Sequence, residues 1–200
     1  MKTFITYILI LITFNSISQS NTFNEDSITK YFVSNLDSFR KNLYPSVPNV
    51  IVNKNASIAC EHHNNYMTNM VRANYLFCSH GEFKNTDGYN YVGEDTLISN
   101  YADRVKYFNT KKDFGSYAEV ITAEFLNYYI NNGKDDQYLA KVLLMNFVKS
   151  PEHNKIISNY SYNVIAIDVK INDNSIYLTM VVGVVINHTS ETEYTVIKNN

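Results

Sequence analysis

The chain has 200 residues, 45% of them hydrophobic and 18% charged, with a formal net charge of −2. That length suits one well-buried domain and the composition excludes global disorder. Lys and Arg are scattered rather than clustered, which excludes a phosphate backbone as the expected partner. The core must be built from aliphatics, Phe and Tyr, because the chain has 17 Tyr and 11 Phe but no Trp.

Lys2 is followed by an apolar run from Phe4 to Phe14 and then by NSISQS. A basic start, about ten apolar residues and small residues at Ser16 and Ser18 predict a secretory signal over 1–18, cut near Ser18/Gln19. A membrane-spanning helix needs about 20 apolar residues, so no transmembrane segment is expected in the mature chain. The expected location is secreted or periplasmic. In such a compartment Cys60 and Cys78 could form a disulfide; two free thiols are the other reading, because sequence gives no distance between them.

Residues 19–49 read as an N-terminal helical extension ahead of the domain. Within it Ile28, Tyr31, Phe32, Leu36 and Phe39 recur at helical spacing over 26–43, and YPSVPN ends the helix. A second helix is predicted over 51–72, where Val52, Ala56, Ala59, His63, Tyr66 and Met70 share a face. His63 then points inward as a hydrogen-bonded core residue, while His62 and His188 are expected at the surface. The stretch from Gly81 to Asp95 reads as a long loop. Residues 96–108 suit a helix around Ala102, Val105 and Phe108, and periodicity leaves AEVITAEF, 118–125, open between strand and helix. A helix over 136–149 has Asp135 or Asp136 as N-cap and Leu139, Val142, Leu143, Asn146 and Phe147 toward the core. Pro151 starts a short turn or helix carrying His153. NVIAIDVKI and SIYLTMVVGVVI, joined by NDN, form a β-hairpin, and residues 187–200 read as a loose tail.

FCSH at 77–80 and SPEHN at 150–154 each place a histidine at the boundary of an element, and AEVI at 118–121 supplies Glu119. Imidazole is the usual metal ligand and proton-transfer group near neutral pH, with a carboxylate as its natural partner. His80, Glu119 and His153 are therefore the candidate site. Glu94, in VGED, is the competing carboxylate.

FCSH, ADRVKYF, AEVI, NFVKSPEHNKII and IAID, in that order, resemble the bacterial branch of the CAP superfamily, the SCP domain of cysteine-rich secretory, antigen 5 and pathogenesis-related proteins. Typical phrases there are FSH, a helix with DR, GENI, WxxSPGHRxNIL and IGVG. The resemblance covers about residues 50–186. It implies an α+β fold, a three-layer α/β/α sandwich with a central antiparallel sheet, and a cleft with two histidines and an acid. His80 matches the FSH histidine, Glu119 the GENI glutamate and His153 the SPGH histidine. Family order places the DR segment before the glutamate, which favours Glu119 over Glu94. Ser150 stands where eukaryotic relatives carry a second glutamate. Ala118 and Val120 replace the Gly and Asn of GENI, Glu152 the Gly of SPGH, and Ala166 a Gly of IGVG.

Two imidazoles and a carboxylate can hold Zn²⁺ with open positions, or they can form a hydrogen-bond network that merely closes the cleft. Two functions follow. One is a non-enzymatic secreted module binding a small ligand, lipid, glycan or extracellular protein. The other is a zinc-assisted hydrolase with Glu119 as base. The chain has no HExxH and no GxSxG, which favours the binding module.

Overall fold

The computed structural model describes residues 23–71, 76–86, 89–186 and 194–196. The expected signal segment 1–18 and His188 lie outside them. The fold is α+β, a five-stranded sheet between two helical layers.

Helix α1, Glu25–Leu43, begins at Asn24, whose side chain accepts from Ser27 N–H, with Glu25 and Asp26 in the first turn and Arg40 and Lys41 in the last. That charge order complements the helix dipole. Expected as an extension, α1 is instead part of the domain. Ile28, Phe32, Val33 and Leu36 are buried in the main core with Leu139, Leu143 and Phe147. An apolar stripe of this width needs a partner, and helix α5, Asp136–Lys149, supplies it.

The helix expected over 51–72 divides. Ile51–Asn53 is strand β1, and helix α2 runs Lys54–Thr68. Ile51 and Val52 are β-branched and pair with Val164 and Ile165, so tertiary pairing overrides the helical spacing. Asn53 makes the switch. Its side chain accepts from Ala56 N–H at 3.0 Å and donates to Asp113 at 3.0 Å. As expected, Ala56, Ala59, His63 and Tyr66 are on the buried face of α2.

The stretch after His80 is not wholly loop. Strands β2 (Met70–Val71), β3 (Asn85–Thr86) and β4 (Tyr89–Tyr91) form a small antiparallel sheet. Helix α3, Tyr101–Phe108, follows, capped by Asn100. The undecided AEVITAEF lies in strand β5, Phe114–Phe125, with a bulge between Ser116 and Ala118. Short helix α4, Asn127–Asn131, leads to α5, capped by Asp135 as predicted. Helix α6, Pro151–Ile157, has Pro151 in its first turn, where a missing N–H costs nothing. Strands β6, Val164–Asn172, and β7, Ser175–Val185, form the expected hairpin. Asp173 turns it with φ 47°, a region Asp tolerates better than most residues.

The sheet order is β5-β7-β6-β1-β8, where β8 is Tyr194–Val196. The tail therefore contributes a strand at 194–196, antiparallel to β1. The sheet is mixed rather than purely antiparallel, since β1 runs parallel to β6. Alternation assigns the two faces. Ile165, Ile167, Val169, Leu178, Met180 and Val120 pack beneath α1 and α5, whereas Val164, Ala166 and Val181 pack beneath α2 and α3. Buried Asn64 pins α2 to this second face, donating to Asp168 Oδ2 at 2.7 Å and accepting from Thr179 Oγ1 at 2.7 Å.

Of the two readings left open for Cys60 and Cys78, the structure shows two free cysteines and no disulfide between them. Cys60 is enclosed between α2 and the sheet with Ala56, Ala59 and Val181, while Cys78 is exposed on the segment before His80. Burial pushes the Cys60 thiol well above its usual range, so it is an inert core residue.

Candidate functional site

Glu119 projects from β5 toward α2 and α3, and it is buried. Its Oε1 accepts from His80 Nδ1 at 2.9 Å, and its Oε2 accepts from Arg104 Nη2 at 2.5 Å. Burial acts to raise its pKa, but the hydrogen bond from His80, the nearby His63 and Arg104 more than offset this and leave it below the usual value. Glu119 is thus an ionised carboxylate with both oxygens engaged.

His80 is the solvent-facing member of the pair, with 54% of its side chain exposed. Donation from Nδ1 to Glu119 means that in the neutral ring Nε2 is the acceptor, the tautomer that a carboxylate behind a ligand histidine imposes. His153, carried by α6, is half-buried, with its ring centroid 6.4 Å from that of His80 and 5.3 Å from that of Phe147. Its pKa is lowered by burial first and by His80 second, against an opposing pull from Glu152. The three predicted residues come together from three elements. Glu94 is exposed and makes no hydrogen bond with either histidine among the described residues.

Beneath them lies a buried network that local sequence pattern does not reveal. Glu82, 3% exposed, accepts from His63 Nδ1 at 2.9 Å, from His62 Nε2 at 3.2 Å and from Ile98 N–H at 2.6 Å. Arg104, 1% exposed, places Nε 3.5 Å from Glu82 and donates Nη1 to the carbonyls of His80 and Ile98. One guanidinium thus joins two carboxylates and two loop carbonyls, which its planar fork allows and a lysine ammonium does not. His63 is the buried, hydrogen-bonded residue expected. His62 is not a surface residue, because its ring packs 4.7 Å from that of Phe108 and its Nε2 serves Glu82. The available signal was an arginine in a chain that elsewhere prefers lysine, together with an acid two residues after His80.

Burial would raise the Glu82 carboxyl, yet the bonds from His62 and His63, the Ile98 amide and the charge of Arg104 hold it down to about 2. A depressed carboxylate contributes stability above its unfolded value and loses it as pH falls through its folded one. The window is therefore from about 4.5 down to about 2. Urea denaturation across this range is expected to show wild type losing on the order of 3 kcal/mol from this group, with a shallower acid slope in Glu82→Gln. Equal slopes would show that Glu82 is not the acid-sensitive group.

Among the described residues no three His, Cys, Asp or Glu side chains are gathered as a metal-holding set. Glu119, with its side chain 1% exposed and already accepting from His80 and Arg104, lies behind His80 rather than at an open ligand position. The side chains that could hold a metal are His80 and His153, with ring centroids 6.4 Å apart and Glu119 behind His80. No helix among the described residues is long and apolar enough to cross a membrane.

No family model matches the chain. No curated protein matches it either. Among solved structures it is similar in fold to an outer surface protein from Borrelia burgdorferi, with 13% identity and a TM-score of 0.51 over 79% of this chain and 92% of that one.

Proposed function

We propose that this chain is an exported module of the CAP/SCP kind that binds a ligand in the cleft between His80 and His153 without turning it over. The observation that carries the reading is the commitment of Glu119. A general base must have a free oxygen near the water it deprotonates. Glu119 has one oxygen on His80, the other on Arg104, and almost no exposure. Its role is to orient His80, so a zinc-assisted hydrolase with Glu119 as base is disfavoured. The apolar run from Phe4 to Phe14 supports export, with which a fold similar to an outer surface protein agrees.

A divalent ion fits as a second element of this reading. His153 has a depressed pKa and His80 is held in the tautomer with a free Nε2, so both can offer a lone pair. Zn²⁺ bound there would have two protein ligands and open positions for a donor atom of a lipid headgroup, glycan or peptide. Titration calorimetry with Zn²⁺ is expected to show one weak site in wild type, lost in His80→Ala and in His153→Ala. Unchanged affinity in both variants would end the metal reading. Turnover of any peptide, ester or glycoside that depends on Glu119 would end the non-enzymatic one.

A further inference from the structure

His80 is half exposed, yet its main chain is gripped from within at two consecutive carbonyls. Arg104 Nη1 donates to the His80 carbonyl at 3.2 Å, and His63 Nε2 lies 2.7 Å from the Ser79 carbonyl. The other nitrogen of His63, Nδ1, lies 2.9 Å from Glu82 Oε1, and the ring is fully buried. A carbonyl has no proton to give, and neither has the ionised Glu82. Both contacts are hydrogen bonds only when each ring nitrogen of His63 carries a proton.

The charges in the interior lead to the same state. Glu82 and Glu119 are buried carboxylates, and Arg104 offsets one of them. His62 and His80 each meet their carboxylate through one ring nitrogen, whereas His63 uses both of its own. Among the fully buried members of the cluster, a neutral His63 leaves two carboxylates against one guanidinium, whereas an imidazolium balances them.

We infer that His63 stands in the fold as a doubly protonated imidazolium and is a positioning residue for the cleft, fixing the Ser79–His80 backbone so that His80 presents Nε2 outward. This inference rests on reading His80 as a cleft residue. The chain of contacts runs from α2 through His63 to Ser79, and from α3 through Arg104 to His80 and Glu119. Together they hold an exposed histidine as firmly as a buried one.

The test begins with metal-free protein labelled with ¹⁵N on histidine. Long-range imidazole correlations are expected to show both His63 nitrogens protonated and His80 in a single form with its proton on Nδ1. An unprotonated His63 nitrogen overturns the inference. In His63→Gln the single His80 tautomer is expected to give way to a mixture, and Zn²⁺ affinity to fall about 10- to 100-fold, as for other residues that orient a ligand histidine. If His63→Gln does not fold, His63→Gln/Glu82→Gln removes one charge of each sign and is expected to fold with the same loss of the single His80 tautomer. A His80 tautomer unchanged in the folded variant overturns the positioning role. If wild type binds no Zn²⁺ while the spectra are as expected, the metal reading of the cleft fails and the assignment of His63 stands.

Discussion

Replacement of Arg104 by alanine is expected to cost about 3–5 kcal/mol of folding stability, the range for removing one partner of a buried ion pair. The cost arises from what remains behind. Glu82 and Glu119 are both buried, and Arg104 lies between them with Nε 3.5 Å from one and Nη2 2.5 Å from the other. Without it two carboxylates are left to repel in a medium that screens them poorly, and the carbonyls of His80 and Ile98 lose their donor. Arg104→Lys restores the charge but not the fork, and an ammonium can reach only part of this set. Chemical denaturation at neutral pH measures the effect. A loss below about 1 kcal/mol would be the size expected of an exposed pair and would show that the cluster is not ionised as described.

Phe32→Ala is expected to cost about 3–5 kcal/mol, the range for deleting a buried phenyl ring. Phe32 is fully buried on α1, with its ring edge-on to that of Phe147 and centroids 6.0 Å apart. Phe147 in turn abuts His153, with ring centroids 5.3 Å apart, so this core wall also backs the candidate site. Were α1 a detachable extension, the substitution would cost little, and a chain starting at residue 50 would fold. The packing of Ile28, Phe32, Val33 and Leu36 in the main core argues that such a chain exposes Leu139, Leu143 and Phe147 and does not reach a native state. Far-UV circular dichroism and a denaturation profile of the shortened chain decide between the two.

Much of the candidate site is legible in the sequence. His80, Glu119 and His153 are singled out by phrases that resemble those of the CAP superfamily in their order, and the structure sets His80 beside both of the others. The helix over 136–149 is equally plain, since an Asp cap and an apolar face agree there. Strand β1 is not. Ile51 and Val52 continue the helical spacing of Ala56 and Ala59, and only the pairing with Val164 and Ile165 draws them into the sheet. The tail strand at 194–196 is hidden for the same reason, because its partner lies about 140 residues earlier in the chain.

Local pattern by itself indicated the helix over 136–149 with its Asp cap, the β6–β7 hairpin and the inward face of α2, because each is written within one segment, whereas the three candidate site residues are picked out by a resemblance in the order of phrases. Tertiary structure alone decided that α1 belongs to the core, that Cys60 and Cys78 are free, and that Glu119 is buried against His80 and Arg104. Those outcomes depend on what surrounds a side chain after folding. A carboxylate reads the same in sequence whether it is a free base or a buried counter-ion. Its partners, Arg104 at 15 residues' separation and His80 at 39, come from outside its own segment.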